Sequence, residues 1–133
     1  MAQVAYAYLT LGQQERFDEA IGFVERHSEN LRGQGINNIV FDYNQAVAAA
    51  LQGDHDQALG YLQQSIDGGM TTFGSLAIVE PALSVLAEND RFVEIETTMR
   101  QTINRDRAVV GLPPVDENYQ VMAAAAPDTA SLP

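Results

Sequence analysis

The clearest hydrophobic periodicity in this chain lies in residues 38 to 52, NIVFDYNQAVAAALQ. Its apolar positions recur at intervals of three and four residues: Ile39, Tyr43, Ala46, Val47, Ala50 and Leu51. Because an α-helix has about 3.6 residues per turn, this spacing places the apolar side chains on one face. The segment also lacks proline and glycine, and it therefore predicts a helix.

A tight turn and a second helix follow this segment. Gly53 ends the first helix, and Asp54 can cap the next one, with Gln57 three residues later as in a capping box. The helical period then continues through apolar residues: Ala58, Leu59, Leu62 and Ile66. Because Gly68-Gly69 interrupts the chain after them, residues 38 to 67 predict two antiparallel helices.

Similar helix pairs are predicted on either side. Upstream, residues 4 to 11 precede a polar turn, and the following segment places four apolar residues on one face: Phe17, Ala20, Ile21 and Val24. Downstream, a helix begins with Pro81, which the first helical turn tolerates, and breaks at residues 88 to 90. The next helix has its own apolar face: Phe92, Ile95, Met99 and Ile103. The predicted pairs span approximately residues 2–30, 38–67 and 78–105.

The three pairs align as copies of one unit. Phe17, His55 and Phe92 occupy corresponding positions after the turns, at nearly equal spacing. This pattern resembles the tetratricopeptide repeat, in which small residues and a turn glycine allow two helices to pack closely. Residues 42 to 69 match it best, through Ala46, Gly53, His55 in the aromatic position, Ala58, Leu62 and Ser65.

The outer pairs depart from the repeat pattern at positions where the family has a small residue or a glycine: Tyr8, Glu15, His27, Leu83, Asp90 and Thr102. The proline that usually ends the repeat is also missing. The resemblance implies an all-α fold in which about three repeats stack as a short α-solenoid. Residues 1–107 are expected to form this helical domain.

Residues 80 to 92, EPALSVLAENDRF, resemble the closing repeat at the C-terminal end of bacterial regulatory proteins that contain tetratricopeptide repeats. This resemblance implies part of a larger signalling chain with an output domain. The compartment stays open, with the cytoplasm favoured and the periplasm compatible with a membrane segment in a parent chain.

Residues 108 to 133 have a different character. Pro113-Pro114 ends any helix, and the final stretch of Ala, Pro, Ser and Thr lacks a periodic apolar face. A largely irregular tail is therefore predicted. The alternative is that the tail covers the exposed end of the last repeat through five residues: Leu112, Val115, Tyr119, Val121 and Met122.

The net charge of the chain argues against some classes of binding partner. Seven basic residues, all arginine, stand against 18 acidic ones, and the formal net charge is −11. Such a field repels nucleic acids and anionic lipids, so neither is an expected partner. No stretch is long enough to span a membrane, and the first ten residues lack the basic start of a secretory signal.

In the family that the repeats resemble, the first helices line a concave groove that binds partner peptides. The resemblance assigns this role by position to seven residues: Tyr6, Leu9, Val40, Tyr43, Asn44, Val47 and Leu51. Further positions in the same helices are Ala5, Ala77, Ser84 and Glu88. None of these is Lys or Arg, which argues against the clamp that some members use for peptide carboxylates.

We therefore expect a non-enzymatic scaffold that binds a neutral or basic peptide or helix of a partner protein. Two alternatives stay open: self-association into a homodimer, and a regulatory domain that senses a small ligand for an attached output domain.

The grouping Asp54-His55-Asp56 contains residue types that metal sites use. The chain has only two histidines and no cysteine, which is too few ligands for a typical hydrolytic metal site. The carboxylate pairs Asp18-Glu19 and Glu94 with Glu96 fall early in second helices, where they complement the helix dipole. No catalytic residue, metal or cofactor is therefore expected.

Overall fold

The structure is a computed structural model that describes residues 2–72 and 74–122. Within these ranges the chain folds into six α-helices and one 3-10 helix: α1 Ala2–Thr10, α2 Gln14–Gly33, α3 Ile39–Leu51, α4 His55–Asp67, α5 Leu76–Val79, the 3-10 helix Pro81–Leu86, and α6 Asp90–Val109. The described residues contain no strand, only an isolated antiparallel bridge between Val115 and Val121. The predicted all-α class is confirmed.

The α3–α4 pair forms as its sequence predicts. At the start of α3, Asn38 Oδ1 accepts a hydrogen bond from the Val40 amide at 2.8 Å. Gly53 adopts a positive φ of 80° after α3, a conformation that glycine tolerates better than other residues. Asp54 Oδ1 then accepts from the Gln57 amide at 3.2 Å, which confirms the predicted cap of α4.

The end of α4 lies very close to the start of α3. A methyl group added at Gly68 would lie 2.3 Å from Cγ2 of Ile39. Ser65 Oγ donates to the carbonyl oxygen of Ile39 at 2.8 Å in the same region. Small residues at 65 and 68 therefore permit this close approach of the two helices.

Replacing Gly68 with alanine should lower the free energy of unfolding by about 1–3 kcal/mol, because the β-branched Ile39 side chain has little freedom to move away. Gly60 lies within α4 with no atom within 4 Å of an added Cβ, and it provides the matched control. Alanine at position 60 should instead stabilise the helix by about 0.5–1 kcal/mol. Urea unfolding measures the change in stability for both variants. Equal changes in the Gly68→Ala and Gly60→Ala chains would contradict the close approach of α4 to α3 at Gly68.

Helix α3 lies at the centre of the fold. It packs against α1, α2, α4 and the 3-10 helix, and every residue from 45 to 50 is buried. The alanines of this segment allow neighbouring helices to approach from several sides. Helix α1, helix α3 and the 3-10 helix are the first helices of the three predicted pairs. The contacts of α3 with the other two are compatible with a stack of first helices. The α-solenoid arrangement itself stays a prediction.

The first helix of the third predicted pair differs from expectation. The helix expected to begin with Pro81 is the 3-10 helix Pro81–Leu86, and the single turn α5 precedes it. Glu80 separates them with an extended φ of −128° and ψ of 89°. The α conformation is disfavoured for a residue before proline, and the helical segment therefore begins at Pro81, as the sequence predicts.

The aromatic position of the repeat is not equivalent in the three pairs. Phe17 and Phe92 are buried, whereas His55 is exposed. His55 is the first residue of α4, while α2 and α6 begin before their phenylalanines. The later start of α4 leaves the His55 side chain at the helix end, away from the core.

The segment that follows α6 folds back against this helix. Asn104 Nδ2 donates to the carbonyl oxygen of Val115 at 3.0 Å, and the Val115 amide donates to Asn104 Oδ1 at 2.8 Å. Val115 is buried and Tyr119 packs against the core, whereas the other apolar residues expected to dock are exposed: Leu112, Val121 and Met122. Residues 123–133 lie outside the described part.

Candidate functional site

Two residues of the predicted first-helix groove lie in the core. Tyr43 is 9% exposed and Val47 is fully buried. Gln3 Nε2 of α1 donates to Glu80 Oε2 at 2.9 Å, so a hydrogen bond joins two segments that flank α3. Burial, together with the charge of Glu80, raises the pKa of Tyr43 to about 12. The prediction that Tyr43 and Val47 line an open groove needs correction, because neighbouring helices cover both.

The other predicted groove residues are more accessible. Leu9 and Val40 are exposed, and Asn44 is half-buried, with its Nδ2 donating to the carbonyl oxygen of Val40 at 2.9 Å. Tyr6 and Leu51 are partly buried against the core. Among the remaining positions, Ala5 is buried, Ala77 is half-buried, and Ser84 and Glu88 are exposed.

Accessible aromatic side chains gather between α2 and α3. The rings of Phe23 and His27 stack, with centroids 5.5 Å apart and an angle of 11° between their planes. The His27 ring also meets Phe41 edge to face at 6.1 Å. A cavity of about 190 Å³ opens beside the rings, lined by Phe23, Val24, His27, Ser28, Phe41 and Asn44.

A second depression lies between α1 and α2. It has a volume of about 430 Å³ and is lined by Val4, Tyr8, Arg16, Glu19, Ala20 and Phe23. The guanidinium carbon of Arg16 lies 5.7 Å from the centre of the Tyr8 ring. Because Phe23 lines both depressions, they form one surface, the aromatic trough, defined by Val4, Tyr8, Phe23, His27, Phe41 and Asn44.

Sequence reasoning missed most of this trough. The expected apolar face of α2 contains Phe17, Ile21 and Val24, which are buried. Phe23 and His27 lie outside that face at a spacing of four residues, and Phe23 is 44% exposed. Two aromatic residues one helical turn apart, outside the buried face of α2, are therefore the sequence feature that could have indicated this surface.

The trough belongs to a surface with an excess of negative charge. Among the described residues, only two ion pairs form, Arg32 with Asp42 and Arg105 with Asp106. The Arg32–Asp42 pair joins the end of α2 to α3. Most acidic side chains therefore have no cationic partner, and the surface retains a negative field.

Three of the residues considered for catalysis or metal binding make structural hydrogen bonds: Asp18, Asp54 and Glu96. Asp54 caps α4, and Asp18 Oδ1 accepts from Gln14 Nε2 at 2.8 Å. Glu96 Oε1 accepts from Ser75 Oγ at 2.7 Å and from the Leu76 amide at 2.5 Å, and so caps α5 from another helix. Across the part of the chain that the structure describes, no three His, Asp or Glu side chains are grouped to hold a metal ion.

Comparisons with protein-family models, curated proteins and solved structures find no match to this chain. The resemblance to tetratricopeptide repeats rests accordingly on the residue pattern. In residues 2–72 and 74–122, no helix combines the length and apolar character of a membrane span. The chemistry and exposure of the aromatic trough provide the basis for a function.

Proposed function

We propose that this chain is a non-enzymatic protein-interaction module that binds an amphipathic helix of a partner along the aromatic trough. The observation that supports this proposal is the accessible stack of Phe23 on His27, in edge contact with Phe41. Rigid aromatic side chains supply much of the binding free energy at protein interfaces. Packing of His27 between two rings limits its motion, so less conformational entropy is lost on binding.

The shape of the trough favours a helix as the bound element. One depression lies between α1 and α2, the other lies between α2 and α3, and Phe23 joins them. Apolar side chains one turn apart on a partner helix would fill the two depressions in succession. Asn44 at the edge supplies a polar group for the rim of the interface.

The net charge favours a basic partner over a second copy of this chain. Two copies would each carry a formal charge of −11 and would repel each other on approach. A partner helix with Lys or Arg on its polar face would be attracted to this field, which accelerates encounter more than it raises final affinity. Binding is therefore expected to slow as salt concentration rises.

Replacing Phe23 with alanine should weaken partner binding by roughly 30-fold or more, as expected for an aromatic hot spot worth about 2 kcal/mol. The matched control is Ile78→Ala, which truncates an exposed apolar side chain on α5, outside the trough. Both side chains are accessible, so neither substitution should greatly change stability. Affinity capture from the source cell with the wild type and both variants identifies proteins that only Phe23→Ala loses.

Titration of the captured partner against the three purified chains then gives the affinities. Unchanged affinity in the Phe23→Ala chain would contradict the assignment of the trough. Light scattering over a concentration series tests the alternative of self-association, and a dimer that Phe23→Ala abolishes would show that the trough binds a second copy instead.

A further inference from the structure

An unpaired serine hydroxyl lies at the cavity between α2 and α3. Ser28 continues the buried face of α2 one turn beyond Val24, and only 3% of its surface is exposed. The other serines of the described residues, Ser65, Ser75 and Ser84, all donate hydrogen bonds. Ser28 makes no such bond with a described residue, not even to the carbonyl oxygen four residues earlier, which helical serines often use.

The Ser28 hydroxyl is open to this cavity. Among the partly or fully buried side chains of residues 2–72 and 74–122, the Tyr119 hydroxyl is the only polar group that lacks both a hydrogen-bond partner and access to solvent. Since the Ser28 hydroxyl also lacks a partner there, its oxygen retains access to solvent. Ser28 lines the cavity and is otherwise buried, so the cavity supplies this access. A group bound in the cavity can therefore reach the hydroxyl.

Asn44 adds a second hydrogen-bond acceptor to the lining of the cavity. Its Nδ2 donates to the carbonyl oxygen of Val40, so the amide nitrogen is already paired within α3. The Oδ1 atoms of Asn38, Asn89 and Asn104 accept from backbone amides, whereas that of Asn44 accepts from no described residue. A hydroxyl oxygen and an amide oxygen both accept hydrogen bonds. The cavity therefore suits a bound group that brings a donor.

Aromatic rings form the apolar part of the cavity. Phe23 and Phe41 line it together with His27, which contacts both of their rings. Its volume of about 190 Å³ exceeds the roughly 150 Å³ of an engineered cavity that binds benzene. The space is therefore larger than a single six-membered ring needs. A planar group with two fused rings would use it more fully and would pack against the aromatic side chains.

We propose that the cavity between α2 and α3 binds the indole ring of a tryptophan on the partner helix, with the indole N–H donating to Ser28 Oγ. The inference rests on the proposed function of the aromatic trough and names the residue type that anchors the partner. Indole combines two fused rings with one donor and no acceptor. These properties match an aromatic cavity with unpaired acceptors, and tryptophan is enriched among binding hot spots. A tyrosine side chain also brings a donor, but its single ring would leave part of the cavity empty.

Side-chain analogues test this anchor without the partner. The full chain is titrated with 3-methylindole, the analogue of the tryptophan side chain, and amide chemical shifts are followed by NMR. The comparison probes are 1,3-dimethylindole, which lacks the N–H, and p-cresol, the analogue of tyrosine. We expect 3-methylindole to bind roughly two- to tenfold more tightly than 1,3-dimethylindole, the range for one neutral hydrogen bond. It should also bind more tightly than p-cresol, and the shifts of Phe41 and Asn44 should change because both residues line the cavity.

Ser28→Ala removes the hydroxyl and keeps the rings of the cavity. Its affinity for 3-methylindole should fall by roughly two- to tenfold, whereas that for 1,3-dimethylindole, which donates no hydrogen bond, should not fall. The melting temperature without ligand should be the same or higher, because alanine favours the helix and the hydroxyl has no partner to lose. Ser84→Ala is the matched control, since Ser84 is exposed in the 3-10 helix outside the trough, and it should leave both affinities unchanged.

Three results would overturn the proposal. The first is equal affinity of the wild-type chain for 3-methylindole and 1,3-dimethylindole, which needs no variant. The second is unchanged affinity for 3-methylindole in the Ser28→Ala chain. The third is tighter binding of p-cresol than of 3-methylindole, which would assign the cavity to tyrosine instead.

The captured partner separates failure of this inference from failure of the proposed function. If Phe23→Ala weakens partner binding and Ser28→Ala does not, the trough remains the interface and the tryptophan anchor is rejected. If both variants bind the partner as the wild type does while 3-methylindole still requires Ser28, the cavity remains an indole site. In that case the binding of a partner helix along the trough is rejected.

Discussion

Replacing Phe92 with alanine should lower the free energy of unfolding by about 3–5 kcal/mol, the range for emptying a buried aromatic site. Phe92 is 1% exposed and lies in the first turn of α6. Because α6 packs against α4, a cavity at this position would weaken the attachment of the third pair to the second. The loss is expected to be among the largest for any single side chain here.

His55→Ala provides the control at the corresponding repeat position. Since His55 is exposed, its truncation should change the free energy of unfolding by less than about 0.5 kcal/mol. Urea denaturation, followed by circular dichroism, measures both variants, and an unchanged m-value would show that the denatured state is not altered. Comparable losses at positions 55 and 92 would contradict the exposed placement of His55.

Alkaline pH should destabilise the fold through Tyr43 and Tyr119. The pKa of each is raised to about 12, chiefly by burial. An unfolded tyrosine loses its proton near pH 10, whereas these residues keep theirs in the folded chain. The stabilisation that these two raised pKa values give the folded state is therefore complete below pH 10. It is lost as the pH rises through about 12. For Tyr43 a shift of this size corresponds to about 2–3 kcal/mol.

Ultraviolet absorbance of tyrosinate follows this transition directly. Of the five tyrosines in the chain, Tyr43 and Tyr119 should ionise late, together with unfolding. Tyr43→Phe should make the free energy of unfolding less dependent on pH above 10, and Tyr8→Phe serves as the control for removing a hydroxyl elsewhere. Stability that stays constant up to pH 12 would contradict the raised pKa values.

The sequence predicts the central helix pair well because the signals that define it are local. A glycine after α3, a capping aspartate before α4 and apolar residues at helical spacing act within a few residues of the elements they specify. The Asp54 cap and the positive φ of Gly53 follow from this local chemistry. The all-α class follows from the same signals repeated along the chain.

The features that sequence reasoning misplaced depend on long-range packing. The periodicity of α3 places Tyr43 and Val47 on an apolar face, but it does not show that several helices surround this segment. Exposure of Phe23 likewise depends on how much of α2 its neighbours cover. The boundary before Pro81 was predicted, because the effect of proline on the residue before it is local, whereas the 3-10 form of residues 81–86 was not predicted.

The central position of α3 makes the stability of the whole chain depend on this one helix. In a repeat array each unit contacts its neighbours, so in an array of three units the middle one joins the other two. Here helices from the first, second and third predicted pairs all pack against α3. Loss of this helix removes a contact surface from all of them together, so the helical units gain or lose their structure as one.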